Sequence, residues 1–294
     1  MTAPSGRPGS RTNRREAMRA AAALAALRGF QGTVRAAEPL SPDAKHRLIQ
    51  SACRWCYAKI PLDELCSAAK RMGLVGLDLL TPAEFVTAKK HGLICTMTTS
   101  HPLTDGLCDP KFRDASLKQI NASIEATAAE GWKNVICFSG NRRGIEDRTG
   151  LENCAKALRE IIPVAEKAGV TLQMELLNSK VNHKDYMCDR SDWGVELVKR
   201  VGSDNFRLLY DIYHMQIMEG DVIRTIEKNH EYFGHYHTGG NPGRNEIDES
   251  QELNYKAIAR AIAAIGFKGY LAHEFIPKRD PLTSLAEAVT LCDV

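Results

Sequence analysis

No apolar run in this 294-residue chain approaches the roughly 18 to 20 residues needed to cross a bilayer, so no membrane-spanning helix is expected. A dinucleotide cradle is missing as well. No Gly-x-Gly-x-x-Gly follows the first strand-like segment, and Gly140-Asn-Arg-Arg-Gly144 lacks the third glycine. The nine cysteines include one Cys-x-x-Cys, Cys53-Arg-Trp-Cys56, with no second pair to complete a zinc site, so they read as small buried hydrophobes. A basic body is absent too. The net charge of +3 depends on residues 1–37, which hold seven arginines (Arg7, Arg11, Arg14, Arg15, Arg19, Arg28, Arg35) and one acid, Glu16. Without them, 32 basic side chains (39 less seven) face 35 acidic ones (36 less one), which argues against a nucleic-acid partner.

That first stretch combines a polar start, the Arg14-Arg15 pair, a weak apolar run over 20–27 and small residues around 34–37. It resembles a twin-arginine export signal, although Glu-Ala-Met follows the arginines and Arg28 closes an apolar run of eight. Residues 1–37 are therefore expected to be cleaved or disordered, with the protein periplasmic or secreted, or else cytoplasmic with a tail. Residues 38–294 remain as the folded body.

Along that body, short apolar segments alternate with amphipathic ones to the C-terminus. The expected strands are 47–52, 75–80, 93–98, 134–139, 171–177, 206–213, 233–238 and 270–275. The expected helices between and after them are 62–72, 82–91, 116–130, 151–168, 192–201, 221–232, 255–265 and 282–291. Glycines close many helix-to-strand turns: Gly73, Gly92, Gly131, Gly169 and Gly266. Eight β-α units in about 250 residues predict an α/β fold, a single closed (β/α)8 TIM barrel.

Four residues, Glu175, Asp211, His237 and Glu274, sit at or near the ends of expected strands five to eight. In such a barrel those ends converge at one mouth. Buried carboxylates must be paired or bind metal, and an oxygen-rich site with one imidazole suits a divalent ion such as Mg2+, Mn2+, Co2+ or Zn2+. Glu175 and Glu274 lie across the mouth from each other, where both could exchange a proton with a substrate carbon. A cation on the adjacent oxygens would acidify that carbon and stabilise an enediolate, the chemistry of aldose–ketose isomerisation or epimerisation.

Other polar residues fall near the same end. His214 would close strand six. Of His235 and His237 only one is expected to face inward, and His237, nearer the strand end, is chosen. Arg244, in the loop Asn241-Pro-Gly-Arg-Asn-Glu-Ile-Asp248, could grip a substrate carboxylate. Asn178, Lys180 and His183 follow strand five, Arg142 follows strand four and His101 follows strand three; each is a candidate contact. Trp55, with Tyr57, would wall the pocket beside strand one.

Three strings are similar to the hydroxypyruvate isomerase group of the xylose isomerase-like barrel superfamily: Leu209-Tyr-Asp-Ile-Tyr-His-Met-Gln216, His235-Tyr-His-Thr-Gly-Gly240 followed by Asn254-Tyr255, and His273-Glu-Phe-Ile-Pro277. The resemblance covers about 46–294. It implies a divalent ion on Glu175, Asp211, His237 and Glu274, proton transfer by the two glutamates, and substrate contacts at His214 and Arg244. It also implies a small hydroxy-keto acid or ketose as the molecular partner, and a homo-oligomer. Gln251 stands where the group carries glycine, and His237 matches the histidine of ketose 3-epimerases. The expected reaction is therefore hydroxypyruvate to 2-hydroxy-3-oxopropanoate, with a ketose 3-epimerase or inosose-type dehydratase as the alternative on the same site. A non-catalytic, exported carbohydrate-binding barrel is the alternative of another class. A metal-dependent abasic-site nuclease would need more histidine ligands and a basic groove.

Overall fold

The computed structural model describes residues 48–294, together with the first two residues of the chain. The export-signal reading of 1–37 lies outside these. Eight parallel strands close into one barrel: β1 Ile49–Cys53, β2 Gly76–Leu80, β3 Ile94–Thr98, β4 Asn134–Cys137, β5 Thr171–Leu176, β6 Phe206–Asp211, β7 Phe233–Thr238 and β8 Tyr270–His273. Closure runs through β1 and β8, with Ser51 opposite Ala272 and Ala52 opposite His273. Among the described residues no helix is long and apolar enough to cross a membrane.

The helices form because their apolar residues recur every three or four positions. Asp147–Ala168 buries Leu151, Cys154, Ala155, Leu158, Ile161, Ile162 and Ala165 along one stripe. That stripe packs in the same core as Val135 and Cys137 of β4 and Leu172 and Met174 of β5. Each fully buried leucine contributes roughly 1.5–3 kcal/mol. The five anticipated helix-end glycines all adopt positive φ, between +65° and +86°, the left-handed geometry that satisfies the last carbonyls of a helix. All nine cysteines are unpaired, and every one but Cys56 is buried.

Boundaries moved where capping chemistry outweighed hydrophobic pattern. The helix expected at 116–130 starts at Pro110, because Asp109 accepts from the Lys111 N–H at 3.0 Å and Pro110 fits the first helical turn. Strand six stops at Asp211, not at 213, because the Asp211 carboxylate accepts from the His214 N–H at 3.0 Å and caps a short helix, Ile212–Met218. Strands four and eight also end two residues early, leaving Glu274 just beyond β8.

The loops after β3, β4 and β5 are stitched to one another around the barrel mouth. Leu107 N donates to Phe138 O at 3.2 Å, Arg142 N to Asp185 O at 2.7 Å, and Met187 N to Gly140 O at 2.9 Å. The crossing is tight at Gly140, whose φ is +83° and where an added Cβ would lie 2.5 Å from the Gly106 nitrogen. Gly140→Ala should therefore destabilise the barrel by about 2 kcal/mol or more, combining left-handed strain with a backbone clash. Urea denaturation measures this, and an unchanged midpoint would contradict the packing described.

Candidate active site at the barrel mouth

Parallel pairing in register gathers the site. Glu175 is the penultimate residue of β5, Asp211 ends β6, and His237 is the penultimate residue of β7, directly opposite Asp211. Glu274 follows β8. All four side chains are buried, and one donor atom from each lies within 4.8 Å of the others.

His237 Nδ1 stands 2.6 Å from Glu274 Oε2, 3.4 Å from Glu175 Oε1 and 3.9 Å from Asp211 Oδ2. Neither His237 Nδ1 nor Glu175 Oε1 has a hydrogen-bond partner, although both are buried. Unsatisfied buried polar atoms are costly, and these two lie 3.4 Å apart in the same cluster. Arg244 is the cation among them, with Nη2 at 2.9 Å from Asp211 Oδ2 and in contact with Glu274 Oε2. Three carboxyl groups thus share one guanidinium, and burial raises the pKa of Asp211. With two orphaned donors and an O,O,O,N ligand set, these residues fit a divalent cation.

The two glutamates differ in acidity. Burial raises the Glu175 pKa, and the facing Glu274 adds to the rise against a contact with His237. Burial acts the same way on Glu274, yet Arg244 and then His237 outweigh it, so Glu274 falls well below the ordinary carboxylate range. Trp55 adds to that by donating Nε1–H to Glu274 Oε1 at 2.5 Å. The indole is exposed at the mouth, and the Arg244 guanidinium lies 5.4 Å from its ring and 5.3 Å from that of Tyr213.

His214 does not close a strand, as expected from sequence, but sits in the first turn of the helix Ile212–Met218. The cap on Asp211 aims it at the mouth, where Nδ1 lies 2.6 Å from Asn178 Nδ2 and Nε2 lies 2.9 Å from Arg244 Nη1. Asn178 also accepts from Val181 N and Asn182 N, so it shapes the loop after β5. His183 stacks edge-on against His214, with centroids 5.1 Å apart. Tyr57 is buried in edge contact with Phe275.

Three other expected contacts are engaged elsewhere. His101 lies 3.3 Å from Asp105 O through Nδ1 and accepts from Phe138 N–H at 3.1 Å through Nε2, which makes it a brace between loops. Lys180 Nζ caps the helix Ile212–Met218 by donating to the carbonyls of Ile217 and Met218. Arg142 pairs with Asp147 and Asp189.

The expectation that only one of His235 and His237 faces inward is wrong. Residues two apart on a strand share a face, and both rings are fully buried inside the barrel, 5.2 Å apart. Between them sits a residue that sequence reading missed, Asp78 of β2. Its Oδ2 is 2.6 Å from His235 Nε2 and 3.2 Å from His237 Nε2. A carboxylate in the middle of the apolar run Val75-Gly-Leu-Asp-Leu-Leu80 was the available signal, since such a group must find partners.

A closed parallel barrel whose strand ends gather ionisable groups at one mouth is an architecture that builds enzyme sites there. This chain belongs to the xylose isomerase-like TIM barrel family, whose model matches residues 83–292. It is similar to a 2-oxo-tetronate isomerase of Cupriavidus necator, at 34% identity over 59% of this chain and 66% of that protein. It is 25% identical to the hydroxypyruvate isomerase of Escherichia coli, over 71% of this chain and 86% of that one. Among solved structures it resembles an AP endonuclease, family 2, from Brucella melitensis, with a TM-score of 0.73 at 25% identity over 82% of this chain and 98% of that one.

The geometry has two measurable consequences. Millimolar Mn2+ should raise the melting temperature of the wild type, since a ligand at 100 times its Kd stabilises by about 2.7 kcal/mol; Asp211→Asn should lose most of that rise, and an equal rise in both would argue against this ligand set. The second concerns acid. Burial pushes both His101 and His273 down to about 4, whereas in the unfolded chain they protonate near about 6.5. The unfolded state therefore binds more protons between these values, so their contribution is complete above about 6.5 and is lost as pH falls toward about 4. Urea midpoints at pH 7 and pH 5 should show the loss, and equal midpoints would refute it.

Proposed function

We propose that this protein is a divalent-metal-dependent isomerase of small hydroxy-carbonyl compounds, interconverting hydroxypyruvate and 2-hydroxy-3-oxopropanoate or a slightly longer 2-oxo acid of the tetronate type. The observation that carries the reading is the pair of buried glutamates, facing each other beside Asp211 and His237, whose acidities are driven apart. Groups pushed in opposite directions within one site are the usual arrangement for giving and taking a proton. A bound cation would supply Lewis-acid polarisation of the substrate's carbonyl and neighbouring hydroxyl oxygens.

The remaining chemistry belongs to the chain. Glu274, kept ionised, takes the proton from the substrate carbon to give an enediolate; Glu175, biased toward the protonated form by burial, returns one to the adjacent carbon, while the hydroxyl proton passes to the former carbonyl oxygen. Arg244, whose nitrogens are engaged by Glu274, His214 and Asp211, supplies positive charge that draws the substrate carboxylate to the mouth. His214, held between Asn178 and Arg244, is placed to contact a substrate hydroxyl. The Trp55 indole covers the outer side and keeps water from Glu274. A ketose 3-epimerase would use the same groups with a longer substrate.

Proton exchange into substrate in D2O, followed by NMR on the Mn2+-free, Mg2+-loaded protein, tests this. Hydroxypyruvate should incorporate deuterium, and Glu175→Gln or Glu274→Gln should slow incorporation by about 100-fold or more with the fold intact. Undiminished exchange in both variants would sink the two-glutamate mechanism. Exchange at C3 of longer ketoses alone would make the protein an epimerase, and no exchange on any substrate would favour a binding barrel.

A further inference from the structure

Beneath the four converging donors lies a second, fully buried cluster that the proposed proton transfer does not use. Asp78 of β2 projects into the barrel interior, with its carboxylate completely screened from water. Its Oδ1 accepts from Ser51 Oγ of β1 at 2.6 Å and from Thr96 Oγ1 of β3. Its Oδ2 faces the two histidines of β7. The two strands beside β2 thus fix one oxygen while β7 faces the other, and the hydroxyl donors leave Oδ2 as the oxygen available to imidazole. A carboxylate without such donors would be expensive this deep in the protein.

The orientation of His237 follows from that anchor. Nε2 is directed down at Asp78 Oδ2, 3.2 Å away, which leaves Nδ1 directed up at Glu175, Asp211 and Glu274. Imidazole can present a lone pair from one nitrogen only when the other carries the proton, and a carboxylate acceptor decides which one does. His235 Nε2 lies 2.6 Å from the same oxygen but, like its Nδ1, makes no hydrogen bond, and the ring does not reach the upper cluster. Cys53 Sγ, 3.7 Å from His237 Nε2, lies on the remaining side, where sulfur is a weak acceptor and does not compete for the proton.

We propose that Asp78 is a positioning residue that holds His237 as the Nε2–H tautomer, so that its Nδ1 lone pair is presented to a divalent cation shared with Glu175, Asp211 and Glu274. The inference rests on the metal-site reading above. Its energetic weight is that of an outer-sphere partner, whose removal elsewhere lowers metal affinity by about 10- to 100-fold. Asp78 touches neither substrate nor the proposed cation, so its effect must appear in metal affinity and in the histidine tautomer.

Both are measurable on the full chain. Competition titration with Zn2+ against a chromogenic chelator should give Asp78→Asn a Kd about 10- to 100-fold weaker than wild type. Circular dichroism and metal-free melting check that the variant is folded. Histidine 15N NMR of the Zn2+-loaded wild type, with His237 assigned by His237→Gln, should show a proton on Nε2 and Zn2+ on Nδ1. That spectrum decides the question even if Asp78→Asn fails to fold. Zn2+ on Nε2, or a folded Asp78→Asn with wild-type affinity, would overturn the role given to Asp78 while leaving the metal site standing. A wild type that takes up no Zn2+, Mn2+ or Mg2+ would overturn the metal reading and this inference with it.

Discussion

Everything at the mouth of this barrel depends on holding three carboxylates together out of water. Placed this close in a medium of low polarity, like charges repel strongly. The chain meets that demand with parallel register, which fixes where each side chain projects, and with Arg244, which bridges Asp211 and Glu274 from the loop after β7. Arg244 is itself mostly screened, with 11% of its side chain exposed, adopts a left-handed backbone (φ +56°) and donates Nε–H to Glu274 O at 3.2 Å. One guanidinium shared among three carboxyl groups and an imidazole leaves an oxygen-rich cluster of the kind that could hold a divalent ion.

The fold was legible because its signals are local and repeated. Apolar strands, helical stripes and left-handed glycines each report on a few neighbouring residues, and eight repetitions of the same β-α order leave little choice of architecture. Boundaries were less legible, since a single hydrogen bond decides them. The Asp211 carboxylate both ends β6 and starts the next helix, so a residue read as a strand-end ligand also carries His214 into place.

Glu175, Asp211, His237 and Glu274 could be picked out because each interrupts an apolar strand at the end where barrel sites are built. Asp78 interrupts β2 in the same way but in the middle of the strand, two residues before its end at Leu80, and nothing in the linear order ties it to His237 159 residues later. Only closure of the barrel brings β2 opposite β7. His101 shows the converse. A histidine just after a strand end looks like a ligand contact in sequence, yet both of its nitrogens are taken by backbone groups that appear only when the loops after β3 and β4 are packed.

The two glutamates carry this point to chemistry. In sequence they are equivalent, each an acid at the end of an apolar strand. In the barrel Glu274 has Trp55 on one oxygen and Arg244 on the other, whereas Glu175 Oε1 accepts no hydrogen bond and has only His237 Nδ1 at 3.4 Å. Trp55 comes from the turn after β1 and Arg244 from the loop after β7, so the asymmetry is imposed by the two elements that flank β8. Exchanging the positions of the two acids would leave composition and ligand count unchanged, but it would not exchange their neighbours. The division of labour proposed for them therefore resides in the loops beside each strand.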